Sequence, residues 1–473
     1  MLISSYLLMV LSVVVICVIY YFIFIMGAVS FYEFAYMLSH NMAAGGAITV
    51  AWDTIKPCLW LAAVLFIILF LLNKYVFKGL KSKLVFSIIL FILSLLTLLK
   101  VVKIDEYILS ALSKTKVYEE YYVDTNNVNI EMPEDKRNLI VIYLESMEAS
   151  LFSKENGGSF EKSIIPELEE IALNNTSFSN TDKLGGAHTL TKTTFTISSF
   201  VASTSGTPIN IKLFKGYNSK RPFMRSVRTL GNVLKDNGYN LEIMQGSEIE
   251  FSATDLYIKE NGDFKVFDIN TAKNKGLIDK NYFVWWGIED KKVLEFSKDE
   301  ILELSKQNEP FAFVLFTMDT HFKDGYLDET CDKPFKEHLA NSYACSSKMI
   351  NEYLNWLKEQ DFYENTTIVL MGDHQVMQDS FYKDHKEYDR VNYNAIINSV
   401  ASGNTKNREF SQFDMYPTIL ASMGASIEGN RLGFGANLYS EEKTMLEILG
   451  KDKFDKEILK KSEYYDKNIL TEN

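Results

Sequence analysis

The sequence lacks an excess of basic residues. Its 473 residues include 49 lysines and arginines against 61 aspartates and glutamates, which gives a formal net charge of −12. Proteins that bind nucleic acids present basic surfaces, so this balance argues against a nucleic-acid partner. Charged residues are also scarce before Lys103 and frequent after it. A chain of this length is expected to contain more than one structural unit.

The charge-poor N-terminal part contains three long apolar runs. The first, residues 6–26, has no charged residue, and the others cover residues 55–77 and 84–102. Because about 20 apolar residues cross a bilayer as a helix, we predict three transmembrane helices. A cleaved signal peptide is the alternative for the first run, but that run is long and no basic segment precedes it.

The lysines between the runs predict the orientation. Four of them lie between Lys74 and Lys83, whereas residues 27–55 contain neither lysine nor arginine. Basic loops stay in the cytoplasm, so three spans place the rest of the chain on the outer, periplasmic side of the cytoplasmic membrane. The predicted organisation is a transmembrane region over 1–103, a juxtamembrane connector over 104–136 and an extracytoplasmic domain over 137–473.

Cysteine is rare, with four in the whole chain. Cys17 and Cys58 lie within or beside the apolar runs, whereas Cys331 and Cys345 belong to the exported part. An oxidising compartment permits a disulfide between the second pair. Two free buried thiols are the alternative.

The exported part alternates apolar runs of strand length with amphipathic segments of helical length. We find no internal repeat and no long low-complexity tract. Apolar strands alternating with helices predict an α/β fold with a mostly parallel sheet covered by helices on both faces. The predicted strands are 138–144, 239–244, 311–318, 366–371 and 392–399, and the predicted helices are 162–173, 225–236, 288–305, 346–359 and 412–423.

Three predicted strands end in residues that suit metal binding or acid–base chemistry. Glu145 follows the first strand, Asp319 and His321 follow the third, and Asp373 and His374 follow the fourth. Ligand sites of such sheets lie beyond the carboxyl ends of the strands, so these side chains are expected to converge. The alternative for Glu145 is a cap of the following helix.

A segment rich in hydroxyl groups supplies a candidate nucleophile. Residues 191–208 read TKTTFTISSFVASTSGTP and turn apolar towards their end, which predicts the start of a helix. A helix N-terminus favours an anion. A divalent cation held by the acidic residues and the imidazole would lower the pKa of a threonine hydroxyl. The alternative is a polar loop that caps a helix.

These residues resemble the alkaline-phosphatase/sulfatase superfamily, and within it the membrane-anchored phosphoglycerol transferases. That branch includes lipoteichoic acid synthases and the enzymes that modify periplasmic glucans, which the chain resembles most. The motifs follow the family order across residues 138–438. They are NLIVIYLESME (138–148), FTISSFVASTSGTPI (195–209), FTMDTHFKDGY (316–326), ACSSKMINEYLNWL (344–357), TTIVLMGDH (366–374) and FDMYPTILASMGA (413–425).

The resemblance implies a role for each matched residue. Glu145, Asp373 and His374 match metal ligands, and Thr196 matches the nucleophile, which also contacts the metal. His321 matches the histidine that binds the phosphoryl group or assists the leaving group. The family metal is usually Mn²⁺, although oxygen ligands with one imidazole also suit Mg²⁺ or Zn²⁺.

Departures from the family pattern limit the inference. Gln375 stands where many superfamily members have glycine, and the Trp-x-Arg substrate element of lipoteichoic acid synthases has no match. Glu248, Phe251 and Lys259 are therefore only candidates for contacts with the donor head group. The Cys/Ser-x-Pro-x-Arg sequence is missing, so the formylglycine of sulfatases cannot form, and the histidines are too few for a two-zinc phosphatase.

Further polar and aromatic residues near the motifs are candidates for substrate binding. His188 could contact substrate or belong to an ordinary loop, and His385 lies in a loop after the metal pair. Arg390 could bind phosphate through both nitrogens or form a surface ion pair. Trp285 and Trp286 could stack on substrate, although packing is the simpler role.

The sequence therefore predicts transfer of phosphoglycerol from phosphatidylglycerol to a hydroxyl of a glycan or polymer, through a phospho-threonine. One alternative is a phosphoethanolamine transferase that uses phosphatidylethanolamine. Another is a membrane-anchored protein that binds a glycopolymer without catalysis. Neither the acceptor nor the oligomeric state can be predicted from this sequence.

Overall fold

The computed structural model describes residues 2–25, 31, 32, 35, 47–210, 224–385 and 387–470. Most of the loop between the first two apolar runs, on which the predicted orientation partly depends, lies outside these residues.

Three apolar helices open the chain: α1 (Leu2–Tyr20), α2 (Ala47–Leu71) and α3 (Leu80–Val101). The stretches long and apolar enough to cross a membrane are Leu2–Phe24, Ile55–Val76 and Leu80–Val101. The prediction of three apolar helices ahead of the sheet domain is confirmed. The side of the membrane on which that domain lies stays a prediction.

A polar contact joins the three apolar helices. The Ser5 hydroxyl lies 2.8 Å from that of Ser87, and the Asn73 side-chain nitrogen donates to Ser5 Oγ at 3.3 Å. All three residues are buried. Such small polar contacts hold helices together where the surroundings are apolar.

The connector contains helices α4 (Ile104–Leu112) and α5 (Val117–Tyr121). Tyr118 is fully buried, with its ring 4.9 Å from that of Phe434 and 5.4 Å from that of Tyr465. The second half of the connector thus packs into the following domain. The boundaries at residues 103 and 136 stay predictions.

A six-stranded sheet forms the centre of the large domain. Its strands are β1 (Asn138–Leu144), β2 (Asn240–Met244), β3 (Lys265–Phe267), β4 (Phe311–Phe316), β5 (Thr366–Gly372) and β6 (Asn394–Ile397). The strand order is β3-β2-β4-β1-β5-β6, and every pair is parallel except β5 with β6. The predicted mostly parallel sheet is confirmed. The sequence prediction missed β3, because three residues are too short to show a pattern.

Helices cover both faces of the sheet. The principal ones are α6 (Pro166–Asn174), α7 (Thr196–Ser205), α8 (Leu230–Asp236), α9 (Thr254–Glu260), α10 (Ile269–Asn274), α11 (Asp290–Ser305), α12 (His338–Lys358), α13 (Met415–Ser422), α14 (Met445–Leu449) and α15 (Lys451–Leu459). Helix α8 begins five residues later than predicted, because Thr229 caps it. Helix α12 begins at His338, earlier than the predicted residue 346.

The central strand β1 separates two hydrophobic cores. Alternate residues from Leu139 to Tyr143 pack with α7, α8 and α13, whereas those from Ile140 to Leu144 pack with α6, α11 and α12. Successive strand residues point to opposite faces, so a strand buried on both sides must be apolar throughout. That requirement explains the unbroken run NLIVIYL and leaves the strand ends as the place for polar chemistry.

Candidate active site

The sheet register brings three predicted site segments to one edge. Strand β1 lies between β4 and β5, with Tyr143 opposite Phe316 and Leu144 opposite Gly372. Because these strands are parallel, the residues after them emerge side by side. Glu145 and the Asp373–His374 pair are therefore neighbours, and the segment leading to His321 lies on the other side of Glu145.

Glu145, Asp373 and His374 form a group of potential metal ligands. One ligand atom from each lies within 4.8 Å of the others. The three residues are 3%, 1% and 2% exposed. Two carboxylates and an imidazole buried together suit a divalent cation, because buried charge requires an opposite charge.

The orientation of His374 fits a metal ligand. Its Nδ1 lies 2.9 Å from the Gln375 carbonyl, which can only accept, so we assign the ring proton to Nδ1. Nε2 then carries the lone pair, 3.5 Å from a Glu145 oxygen and 3.4 Å from Asp373 Oδ2. A backbone carbonyl that fixes the tautomer in this way is a common support for a metal-binding histidine.

Asp373 has one oxygen bound to the protein and one directed elsewhere. Oδ1 accepts the backbone N–H groups of Ser146 at 2.8 Å and His374 at 2.7 Å. Oδ2 is buried and has no hydrogen-bond partner among the described residues. Burial and the nearby Glu145 raise the pKa of Asp373 to about 7. A cation would bind Oδ2 and offset the repulsion between the carboxylates, so the donor set fits a metal ion.

The chain turns sharply on both sides of this group. Ser146 adopts a left-handed conformation with φ of 52°, which is costly for a residue other than glycine. A Cβ atom at Gly372 would lie 1.9 Å from the Met147 carbonyl oxygen, so only glycine fits before Asp373. A left-handed residue after Glu145 and a close backbone contact before Asp373 therefore shape the chain around the ligand group.

Thr196 is the first residue of α7, after an extended Phe195. Two bridges connect the loop before it to the Asp373 carbonyl. In the first, Thr193 donates to Gln412 at 3.2 Å, and Gln412 donates to the Asp373 carbonyl at 3.2 Å.

In the second bridge, Thr189 donates to Asn392 at 3.0 Å, and Asn392 donates to the same carbonyl at 3.3 Å. The structure therefore ties the loop before the N-terminus of α7 to the metal-ligand group.

The residues directly before Thr193 are anchored elsewhere. Thr191 donates through its backbone N–H and its hydroxyl to Asp455, at 2.8 and 2.7 Å. Lys192 is 2% exposed, and its amine donates to the Ile458 carbonyl at 2.5 Å. Burial lowers the pKa of Lys192 to about 7, although Asp455 acts in the other direction.

The segment that carries His321 is bound to Glu145. Thr317 Oγ1 accepts the Glu145 N–H at 3.0 Å, and Thr320 donates to the Glu145 carbonyl at 2.6 Å. The Trp286 ring lies 4.7 Å from the His321 ring. The segment that leads to His321 is thus bound to the Glu145 backbone, and an indole lies on one side of the His321 ring.

Two further aspartates, Asp290 and Asp319, belong to the surroundings of this segment. Asp290 accepts the N–H groups of Met318 at 2.6 Å and Asp319 at 3.1 Å. Both side-chain oxygens of Asp319 are buried and have no hydrogen-bond partner within the described part of the chain. Burial, with Asp290 adding to it, raises the pKa of Asp319 well above its usual value.

Arg390, a predicted phosphate ligand, is engaged in an internal ion pair. Its guanidinium contacts both oxygens of Glu148, at 2.8 and 2.5 Å, and donates to the Val376 carbonyl at 2.8 Å. Glu148 is fully buried and accepts the Val376 N–H at 2.9 Å. This pair holds the loop that follows His374. A role of Arg390 in phosphate binding stays a prediction, and the structure gives the residue a different partner.

The two predicted substrate histidines have different surroundings. His188 is buried, with Nε2 2.7 Å from Glu409 and Nδ1 3.7 Å from Asp389. Burial lowers the pKa of His188, and nearby Lys451 adds to this effect. His385 lies against the Phe160 ring at 4.2 Å. Contact of either residue with substrate stays a prediction.

A disulfide joins Cys331 to Cys345, with the Cα atoms 5.6 Å apart. It connects the segment after His321 to α12. Cys17 and Cys58 form no disulfide within the described part of the chain.

Several residues around the site escaped the sequence prediction. They are Glu148, Asp290, Lys192, Asn392 and Gln412. Glu148 lies inside a recognised motif and could have been suspected there. The others gain their partners through contacts between distant segments, which no local pattern reveals.

The chain matches known proteins over this same region. The sulfatase family model covers residues 137–425. The chain is 30% identical over 290 residues to phosphoglycerol transferase I of Escherichia coli strain SMS-3-5, a match that covers 59% of this chain and 36% of that protein. It is 29% identical over 363 residues to phosphoglycerol transferase I of Escherichia fergusonii, covering 72% and 46% of the two proteins. The matches thus span less than half the length of these relatives.

A solved structure shares the fold. It is the integral membrane lipooligosaccharide phosphoethanolamine transferase A of Neisseria meningitidis, with a TM-score of 0.50 and 13% identity over 89% of this chain and 84% of that one. At this identity the similarity concerns the fold alone.

Proposed function

The chain belongs to the sulfatase family, and on that premise we propose that it transfers phosphoglycerol from phosphatidylglycerol to a hydroxyl group of a glycan or polymer. The names of its relatives, which are phosphoglycerol transferases, support this donor group. The observation that carries the proposal is the buried Glu145, Asp373 and His374 group tied to the loop that precedes Thr196.

A divalent cation would be held by Glu145, Asp373 and His374, together with the Thr196 hydroxyl. Asp373 Oδ2, which has no hydrogen-bond partner among the described residues, and the lone pair of His374 support this donor set. Two carboxylates and one imidazole suit Mn²⁺, and also Mg²⁺ or Zn²⁺. When bound, such an ion lowers the pKa of a hydroxyl group and polarises a phosphoryl oxygen.

The reaction proceeds in two displacements at phosphorus. Thr196 Oγ loses its proton and attacks the phosphorus of phosphatidylglycerol, the bond from phosphorus to the diacylglycerol oxygen breaks, and glycerophospho-threonine forms. The leaving alkoxide takes a proton, for which His321 is the candidate donor. An acceptor hydroxyl then attacks phosphorus, loses its proton and releases Thr196.

The first turn of α7 stabilises the negative charge on the phosphoryl group. The backbone N–H groups of this turn and the positive end of the helix dipole lie at the residue that attacks. The three metal-ligand residues are also almost fully buried, which keeps bulk water away from their side chains. Fixed donors in a dry site stabilise a developing charge more strongly than water does.

The apolar helices serve this chemistry by holding the site near its lipid donor. We propose a multi-pass protein of the cytoplasmic membrane, with its catalytic domain on the extracytoplasmic side and the lysine-rich loop around residues 74–83 in the cytoplasm. Attachment to the same membrane raises the effective concentration of the donor.

Mass spectrometry of the Thr196 peptide tests the proposal. The full chain in vesicles of phosphatidylglycerol with Mn²⁺ is quenched before acceptor is added. We expect a glycerophosphoryl adduct on Thr196, release of diacylglycerol, and neither in Thr196→Ala. Thr97→Ala, which removes an exposed hydroxyl of α3 away from the candidate site, is the control and should keep both.

The same experiment separates the alternatives. Vesicles of phosphatidylethanolamine that give an ethanolamine-phosphate adduct would identify a phosphoethanolamine transferase. Binding of a glycopolymer with no lipid turnover in either vesicle would indicate a non-catalytic protein. Retained turnover in Thr196→Ala would refute the assignment of the nucleophile.

A further inference from the structure

The loop before Thr196 is held by parts of the chain that lie outside the sulfatase match. That match ends at residue 425, whereas Asp455 and Ile458 belong to α15. A third contact comes from Tyr32, which follows the first apolar helix. Terminal segments at both ends of the chain therefore converge on one loop of the candidate active site.

Lys192 is the centre of these contacts. It lies four residues before Thr196 and is 2% exposed. Its amine donates to the Ile458 carbonyl at 2.5 Å and lies 5.3 Å from the centre of the Tyr32 ring. Burying an amine is costly, so a lysine at this position is a poor choice for packing alone.

Asp455 fixes the residue next to Lys192. The Asp455 carboxylate accepts both the backbone N–H and the hydroxyl of Thr191. With the bond from Thr193 to Gln412, three consecutive residues each bind a different partner. The conformation of the loop thus depends on α15, on Tyr32 and, through Gln412, on the metal-ligand group.

Helix α15 is itself connected to the membrane helices. Thr115 in the connector donates its hydroxyl to Glu457 at 2.6 Å and its backbone N–H to the Lys461 carbonyl at 3.1 Å. The Lys461 N–H in turn donates to the Ser113 carbonyl at 2.9 Å. Residues 113–115 follow α3 and α4 in the chain, so a continuous set of contacts runs from the apolar helices through α15 to Lys192.

We propose that Lys192 is a positioning residue through which the membrane-proximal segments place Thr196 for attack. The inference rests on the proposed function, since it takes Thr196 as the nucleophile. Lys192 acts through the loop and through the start of α7. A displacement of a reacting group by about 1 Å can reduce a rate about 100-fold, so an anchor of this loop has a large effect on turnover.

The first test measures diacylglycerol release by the full chain in phosphatidylglycerol vesicles. Lys192→Met should lower kcat about 10- to 100-fold, with KM within about twofold, while Glu145, Asp373 and His374 still bind Mn²⁺. Lys192→Arg, which keeps a donor, should recover part of the loss. The matched control is Lys136→Met, because Lys136 also donates to a backbone carbonyl, that of Asn237, at 2.7 Å. It should behave like the unchanged protein.

The second test does not depend on activity. Hydrogen exchange of the backbone N–H groups of residues 190–196 should be faster in Lys192→Met and in Tyr32→Leu, and unchanged in Lys136→Met. Tyr32→Leu carries the test if Lys192→Met does not fold, and it should also lower kcat. If the unchanged protein shows no lipid turnover but these exchange differences appear, the proposed function fails while the anchoring of the loop stands.

Two results would overturn the inference. One is a Lys192→Met variant with normal kcat. The other is faster exchange throughout the domain, with loss of Mn²⁺ binding, in both Lys192→Met and Tyr32→Leu, which would indicate a general structural role.

Discussion

The metal-ligand group and the loop before Thr196 are linked at one edge of the sheet but are assembled in different ways. Glu145 and Asp373 are neighbours because β1 and β5 pair in register, with Leu144 opposite Gly372. The loop is held instead by Asp455 and Ile458, more than 260 positions further along the chain. One half of the candidate site therefore depends on the sheet and the other on contacts between distant segments.

This difference predicts how the two halves respond to change. A residue that emerges from a buried parallel strand keeps its place as long as the strands pair. A loop bound by a few hydrogen bonds from other segments can shift when one contact is lost. Substitutions in the metal-ligand group should affect binding of the ion. Substitutions around the loop before Thr196 should affect the rate of transfer while the ion is still bound.

The largest loss of activity is expected from a substitution in the metal-ligand group. Asp373→Asn removes a charge from the ligand group and should lower transferase activity by about a thousandfold or more, the scale on which groups acting as one catalytic unit fail together. Calorimetry should show that Mn²⁺ binding is lost as well. The measurement is release of diacylglycerol from phosphatidylglycerol vesicles.

Asp268→Asn is the matched control for this change. Asp268 is also buried, but it caps α10 by accepting the Thr271 N–H, a role that asparagine can fill. Normal Mn²⁺ affinity in Asp373→Asn would contradict the assignment of the ligand group.

The second effect concerns the ion pair that supports the loop after His374. Glu148→Gln leaves the guanidinium of Arg390 in a buried position without its counter-charge, and such changes cost about 3–5 kcal/mol of unfolding free energy. Denaturant unfolding of the full chain, followed by tryptophan fluorescence, measures the loss. Glu161→Gln breaks the exposed pair with Lys154 and should leave the free energy of unfolding nearly unchanged, because solvent screens that pair. Equal losses in the two variants would show that the buried pair has no special role.

The contrast between the halves also explains what the sequence could predict. Glu145, Asp373 and His374 could be grouped because apolar strands end directly before them and parallel strands share an edge. The same reasoning predicted the sheet but missed the short β3, which shows no pattern.

Long-range partners could not be predicted in this way. The partner of Arg390 is Glu148, 242 positions away, so the sequence could suggest phosphate binding but could not show that the guanidinium is occupied. From the sequence, Lys192 is an ordinary polar residue of a loop. Only the packing of α15 and Tyr32 in the structure shows that it is buried.

Metal binding should stabilise the protein by a moderate amount. A ligand that binds only the folded state at 100 times its Kd adds about 2.7 kcal/mol, so Mn²⁺ should raise the free energy of unfolding by about that much. The gain should vanish in Asp373→Asn and persist in Lys192→Met. Loss of the gain in Lys192→Met would show that the two halves of the site are not independent. The same titration with Mg²⁺ and Zn²⁺ ranks the three ions.

The smallest effect is a dependence of the free energy of unfolding on pH, which comes from Lys192 in the loop. The pKa of Lys192 is about 7 in the folded protein, against an ordinary value of 10.5. Between these values the unfolded chain binds a proton that the folded protein has released, so the free energy of unfolding rises with pH, by at most about 1.4 kcal/mol per pH unit. The difference between the unchanged protein and Lys192→Met, measured from about pH 7 to 9, isolates this contribution because other groups cancel. A difference that stays flat over this range, or falls, would show that the amine keeps its proton in the folded loop, held by Asp455 and the Ile458 carbonyl. The loop would then be anchored by a buried charge. In that case Lys192→Met would remove a paired ammonium group, and the gain in unfolding free energy from replacing it with an apolar side chain would be smaller than for a neutral amine.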